Sequence, residues 1–160
     1  MSTPTTWNVT PVAYVRSTRV EAIDDDWDSV ATSIEMCAPY DERSLLGLGE
    51  FSHLEVVYLF DRVDPAAVCN DARRPRGNPE WPEVGIFAQR AKFRPNRLGV
   101  SCCQLLDVSG TSLAVRGLDA IDGTPVLDIK PYLAEFGPRG PVHQPAWSHE
   151  LMAGYFGRGT

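Results

Sequence analysis

The chain has 160 residues, 43% of them hydrophobic, which suffices for one buried core and sets the expectation of a single domain over 1–160. A net charge of −6 and a pI near 5.0 argue against broad electrostatic binding of nucleic acid, which needs Lys and Arg to neutralise phosphates. No apolar stretch approaches a bilayer's thickness, and residues 1–7 are polar with no hydrophobic run behind them, so neither a membrane span nor a secretory leader is expected.

In chain order, Val9–Val15 reads as a first strand and the alternating Val30–Cys37 as a second. Residues 41–49 are turn-rich. His53–Phe60, full of β-branched and aromatic residues, is the strongest strand signal. Asp64 followed by Pro65 opens a short helical turn, with Asp64 as its cap. Residues 71–82 hold Pro75, Gly77, Pro79 and Pro82 and read as a long loop. Strands are expected again at Val84–Ala88, Leu98–Val108, Ser112–Leu118 and Pro125–Ile129, with a turn at Asp122-Gly123. The last element is a helix over 145–156, with Trp147, Leu151 and Tyr155 on one face, a stripe expected to dock on the core or on a partner subunit. Many strands, few helices and 13 Gly plus 13 Pro exclude a doubly wound α/β sheet. The expected class is mainly β, an antiparallel β-barrel with a few short helices, its core at about 9–135; closure removes exposed sheet edges.

Charge is unevenly placed. Seven of the 15 basic residues fall between 73 and 97, offset there only by Glu80 and Glu83, while residues 21–42 carry eight acidic residues and no Lys or Arg. Facing one cleft, these segments would polarise it; apart, each is a solvated face. Cys37, Cys69, Cys102 and Cys103 show no C-x-x-C spacing, and His53, His143 and His149 complete no zinc pattern, so no metal is expected. Cys102 and Cys103 are neighbours in a strand and point to opposite faces, which disfavours a bridge and fits a reduced, cytoplasmic protein.

Dinucleotide, P-loop, zincin and nucleophile-elbow motifs are absent; Gly47-Leu-Gly49 lacks a third glycine and precedes a strand. Two segments stand out. Val84–Ser101 places Arg90, Lys92, Arg94 and Arg97 around a Pro95-Asn96 turn, an array suited to a carboxylate or other anion, or a solvated basic loop. Arg116–Tyr132 carries Asp119 ahead of the Asp122-Gly123 turn, then Asp128 and Lys130 on one strand face, where an ion pair is expected. Asp119 ends an apolar stretch, where its carboxylate and backbone can meet a ligand.

Gly85–Ser101 followed by Leu118–Tyr132, together with Glu50–Leu54 and Ala38–Tyr40, resembles the TrmO (TsaA-like) family over roughly residues 9–135. The resemblance implies a single-sheet β-barrel, a homodimer, and binding of S-adenosylmethionine without a Rossmann fold. It implies N6-methylation of N6-threonylcarbamoyladenosine at tRNA position 37. By motif matching the cofactor contacts fall on Phe60, Asp61, Arg90, Leu98, Val100, Gly117, Leu118 and Asp119. Arg94, Arg97 and Lys130 are candidates for substrate binding, and Asp119 and Tyr132 for a general base, which sulfonium chemistry does not require. The sequence departs from the family pattern in carrying the acidic Arg19–Trp27 segment where a Pro-Arg-Gln cofactor segment is usual, and Arg97 where a proline follows the turn asparagine. These departures leave two further readings open: methyl transfer to a small molecule, and a SAM-binding dimer without turnover.

Overall fold

The computed structural model describes residues 1–157; the last three positions of the expected 1–160 domain lie outside the described residues. Six strands form a closed antiparallel barrel: β1 (Ala13–Ser17), β2 (Thr32–Met36), β3 (His53–Leu59), β6 (Leu98–Ser109), β7 (Ser112–Arg116) and β8 (Pro125–Pro131). Their order around the barrel is β1-β2-β7-β6-β3-β8, closed by β8 pairing back on β1 through Ala13↔Val126 and Tyr14↔Pro125. A separate two-stranded ribbon joins β4 (Ala72–Arg73) to β5 (Val84–Gly85).

Strand alternation produces the core. Leu54, Val56 and Tyr58 point inward from β3, meeting Val15, Ile34, Cys103, Leu113, Val115 and Val126. Every second residue of β6 is buried from Gly99 to Cys103, whereas Leu98, Val100 and Cys102 face outward. The cysteines are all free; Cys103 is buried and Cys102 exposed, as strand geometry requires. Burial pushes the Cys103 thiol up to about 12.

The long strand β6 is shared between two neighbours. Its first half pairs with β3, from Leu59↔Leu98 to His53↔Gln104; its second half pairs with β7, from Gln104↔Arg116 to Ser109↔Ser112, across a register shift at Leu105/Asp107. Strand β7 therefore stops opposite Gln104. The chain then turns at Gly117, in the left-handed region at φ 79, and Leu118–Ala120 run beside the uncovered half of β6.

Four elements differ from expectation. The first strand, expected at Val9–Val15, is β1, Ala13–Ser17. The strand expected at Val84–Ala88 pairs only at Val84 and Gly85, because the chain turns in a 3-10 turn over Ile86–Ala88 and buries Ile86. The loop at 71–82 contains β4 and a 3-10 turn at Pro75–Gly77. The helix expected over 145–156 is α1, Ala146–Met152, and the chain leaves it before Tyr155. Asp64 caps the 3-10 turn Pro65–Ala67 as expected, its carboxylate accepting from the Ala66 N–H at 2.9 Å. The acidic and basic segments do meet. Arg76 pairs with Asp25 at 2.8 Å and Asp24 at 3.7 Å, both carboxylates being largely exposed.

Candidate functional site

A carboxylate ringed by hydroxyls closes one end of the barrel. Tyr58 and Ser101 are inward residues of β3 and β6, two positions out of register with each other, since Tyr58 pairs with Gly99 and Ser101 with Val56. Both reach the carboxylate that the Gly117 turn delivers. Tyr58 Oη donates to Asp119 Oδ1 at 2.8 Å, and the Ser101 hydroxyl donates to the same oxygen. Tyr58 Oη also lies 3.3 Å from Ser101 Oγ and 3.2 Å from the Asp119 carbonyl. The other carboxylate oxygen, Oδ2, accepts from the Tyr155 hydroxyl, which arrives from beyond α1. Gly99 makes room for this cluster: a Cβ there would lie 2.3 Å from Tyr58 Cε2.

Both phenols are donors here and stay so. Burial, then the Asp119 charge, pushes Tyr58 well above the usual phenol range. The same causes in the same order raise Tyr155, and only the Arg90 charge opposes the shift. Arg90 thus belongs to this end of the barrel. Its guanidinium donates to the Val100 carbonyl on the stretch of β6 that β7 leaves uncovered. Beside it Leu98 and Val100 stand 39% and 43% exposed, an apolar outer face next to a cation and a carboxylate. This chemistry can take a ligand carrying an anion, a flat apolar ring and a positive charge. Arg90 would hold the anion, Leu98 and Val100 the ring, and the Asp119 carboxylate would favour the cation.

Residues 24–137 match the tRNA-methyltransferase O N-terminal domain, which is most of the chain. The chain belongs to the TrmO family. Among similar proteins, the human tRNA (adenine(37)-N6)-methyltransferase is 38% identical over 69% of this chain and 25% of its own length. The Escherichia coli protein of the same name is 38% identical over 62% of this chain and 44% of its own. A putative S-adenosylmethionine-dependent methyltransferase of Pseudomonas aeruginosa is 35% identical over 80% of this chain and 58% of its own. The crystal structure of TrmO from Pseudomonas aeruginosa superposes with a TM-score of 0.71 at 30% identity, covering 87% of this chain and 61% of that one. This chain therefore spans less than two thirds of the length of each of these relatives. The barrel expected from the TrmO resemblance is the barrel observed.

The structure gathers some of the motif-matched residues and separates others. Arg90, Leu98, Val100, Gly117, Leu118 and Asp119 lie together, with Leu118 buried and Gly117 setting the turn. Phe60 packs edge-on against Tyr58, ring centroids 5.4 Å apart, and Asp61 follows it on the surface. Arg94 and Arg97 turn onto the chain itself, donating to the Gln89 carbonyl at 2.7 Å and the Val63 carbonyl at 2.8 Å. Arg97 also has φ 51, which a proline ring, fixed near −65°, cannot adopt, so this departure from the TrmO pattern is built into the backbone. Lys130 pairs with Asp128 at 2.5 Å, the expected ion pair, on the outer face opposite Glu55. Tyr132 binds through its N–H to the His53 carbonyl at the start of β3. With about 3.3 Å of rise per residue, His53 and Tyr58 are separated by roughly 16 Å along β3. Tyr132 and Lys130 therefore sit toward the other end of the barrel from Asp119. Asp122-Gly123 is the expected turn, with Gly123 at φ 80, and Asp122 Oδ1 ties it to the end of β1 by accepting from the Ser17 N–H at 3.0 Å.

Sequence reasoning missed Tyr58, Ser101 and Tyr155. For the first two the signal was present. Tyr58 continues the inward series Leu54, Val56, and Ser101 lies between inward Gly99 and Cys103; a hydroxyl aimed into a core must find a partner. For Tyr155 no local signal existed, since its partner is 36 residues away. Among the described residues no group of three or more His, Cys, Asp or Glu side chains is placed to hold a metal, and no helix is long and apolar enough to cross a membrane.

Proposed function

We propose that this chain is an S-adenosylmethionine-dependent methyltransferase acting on N6 of N6-threonylcarbamoyladenosine at tRNA position 37. The observation that carries this reading is the Asp119 cluster beside Arg90, Leu98 and Val100, built from residues inside the span that matches the tRNA-methyltransferase O N-terminal domain. S-adenosylmethionine supplies, when bound, an electrophilic methyl group on a sulfonium. Arg90 holds its carboxylate, Leu98 and Val100 cover its adenine, and Asp119 favours its positive charge. Three hydroxyls donate to Asp119, so its oxygens are engaged and its role in this reading is electrostatic. The protein's share is alignment of the N6 nucleophile with the methyl group: as the N–CH3 bond would form, the S–CH3 bond would break to leave the neutral thioether S-adenosylhomocysteine, and the N6 proton would pass to water. A homodimer and the reducing cytoplasm, which suits four free thiols, belong to the same reading.

One observation favours a second reading, a small-molecule acceptor. Arg94 and Arg97 donate into backbone carbonyls, and Arg76 pairs with Asp24 and Asp25, so several cations of the basic segment are engaged within the chain. Methyl transfer to tRNA carrying the threonylcarbamoyl group, compared with tRNA lacking it, separates the two. The tRNA reading expects product only with the modified substrate and a steep fall in rate as salt rises. No product from the modified tRNA overturns it. Cofactor binding with no methylated product from any acceptor is the outcome that a SAM-binding dimer without turnover requires.

Within either catalytic reading Arg90→Ala weakens S-adenosylmethionine binding by about tenfold, the loss of a charged hydrogen bond worth ~1.5 kcal/mol. Arg73→Ala, whose guanidinium lies 5.3 Å from the Phe93 ring, leaves the affinity within about twofold. Equal losses in titrations of the two variants would remove Arg90 from the site.

A further inference from the structure

The stretch that brings Tyr155 to Asp119 lies beyond residues 24–137, outside the part of the chain that matches the family. It is tied down at both ends. Trp81 Nε1 donates to Glu150 Oε2 at 2.8 Å, and the Trp81 and Trp147 rings lie 6.4 Å apart, so α1 is anchored on the loop between β4 and β5. Past α1 the backbone carbonyls of Gly154, Tyr155 and Phe156 accept from the N–H groups of Asp26, Trp27 and Asp28 at 3.1, 3.0 and 2.8 Å. The acidic segment is thereby shown a use: residues 26–28 form a backbone rail for the C-terminal stretch. Arg19 braces the rail, donating to the Asp25 carbonyl at 2.7 Å and stacking 4.3 Å over the Trp27 ring. Three consecutive main-chain bonds fix where Tyr155 sits, and its hydroxyl takes the one carboxylate oxygen that Tyr58 and Ser101 do not.

We infer that the C-terminal stretch completes the candidate site within the same chain, with Tyr155 as a positioning residue that fixes the Asp119 carboxylate for a cationic ligand. The inference rests on the proposed S-adenosylmethionine reading. Tyr58 and Ser101 hold only Oδ1, about which a carboxylate can still swing. The Tyr155 donor on Oδ2 fixes the plane, and with it the direction of the field met by a sulfonium. A neutral thioether in the same place senses that field far less.

The test is calorimetric titration of the full chain and its Tyr155→Phe variant with S-adenosylmethionine and with S-adenosylhomocysteine, alongside thermal melts. Phenylalanine keeps the ring, and its edge contact with Phe156 at 5.1 Å, and removes only the donor. The expected result is about a tenfold loss of S-adenosylmethionine affinity, less than a twofold change for S-adenosylhomocysteine, and an unchanged melting temperature. Equal losses for the two ligands would make the stretch a mere cover and overturn the inference. So would unchanged or improved S-adenosylmethionine binding, the latter meaning that the hydroxyl competes with the ligand. An unmodified chain that binds neither compound would instead sink the cofactor reading itself, and the inference with it. Tyr155→Ala, which also empties the ring's place, is expected to weaken both ligands and so mark what structural loss looks like.

Discussion

Gly99→Ala is expected to destabilise the protein by about 3 kcal/mol and to abolish cofactor binding, although it adds one methyl group. The added Cβ would lie 2.3 Å from Cε2 and 2.4 Å from Cζ of Tyr58. An exposed tyrosine would swing aside. Tyr58 is 1% exposed, packs edge-on against Phe60 and donates to Asp119, so every direction of retreat costs packing or a buried hydrogen bond. The β3–β6 register that sets Tyr58 opposite Gly99 thus depends on a residue without a side chain at that one position. Chemical denaturation measures the loss. Tyr58→Leu in the same background should recover part of it, giving a coupling of opposite sign to the two single effects. A Gly99→Ala protein as stable as the parent would show that the ring is not confined as described.

Asp119→Asn is expected to leave the fold within about 1 kcal/mol of the parent and to weaken S-adenosylmethionine binding roughly thirtyfold, or ~2 kcal/mol. The amide oxygen can still accept from Tyr58 and Ser101, and the amide N–H2 can donate to the Tyr155 oxygen, so the hydrogen-bonded ring survives with one partner reversed. What disappears is the charge. Binding of S-adenosylhomocysteine, which lacks the positive sulfur, should fall by less than threefold. A large loss for both ligands, with the fold intact, would mean that Asp119 contributes shape and not charge.

The barrel was legible because it is written in short-range pattern. Alternation in His53–Leu59 and along β6 gave the strands and their inward faces, and turn chemistry at Asp64 and Asp122-Gly123 gave the connections. The site was legible only in part. Arg90 and Asp119 stand in motifs, and the structure brings them to one end. Tyr132 and Lys130 stand in the same motif as Asp119, yet β8 carries them to the start of β3 while Asp119 stays by its end. Nearness in sequence misled there, because β8 starts beside Tyr58 at Val126 and runs along β3 to Leu54 at Pro131. Arg94 and Arg97 are cations whose carbonyl partners cannot be read from spacing. The stripe beyond residue 145 was expected on the core or on a partner subunit, but Trp147 meets Trp81 of the β4–β5 loop, and the period of 3.6 extended the helix too far: it ends at Met152, and Tyr155 is positioned by a backbone rail from residues 26–28.

Calorimetric titration of the unmodified chain with S-adenosylmethionine tests the central claim most directly. The expected result is saturable binding near one equivalent per chain, with S-adenosylhomocysteine binding at the same site. A flat titration with both compounds would contradict it. The Asp119 cluster would then be a structural plug of the barrel, and its hydroxyl ring a device for burying a carboxylate.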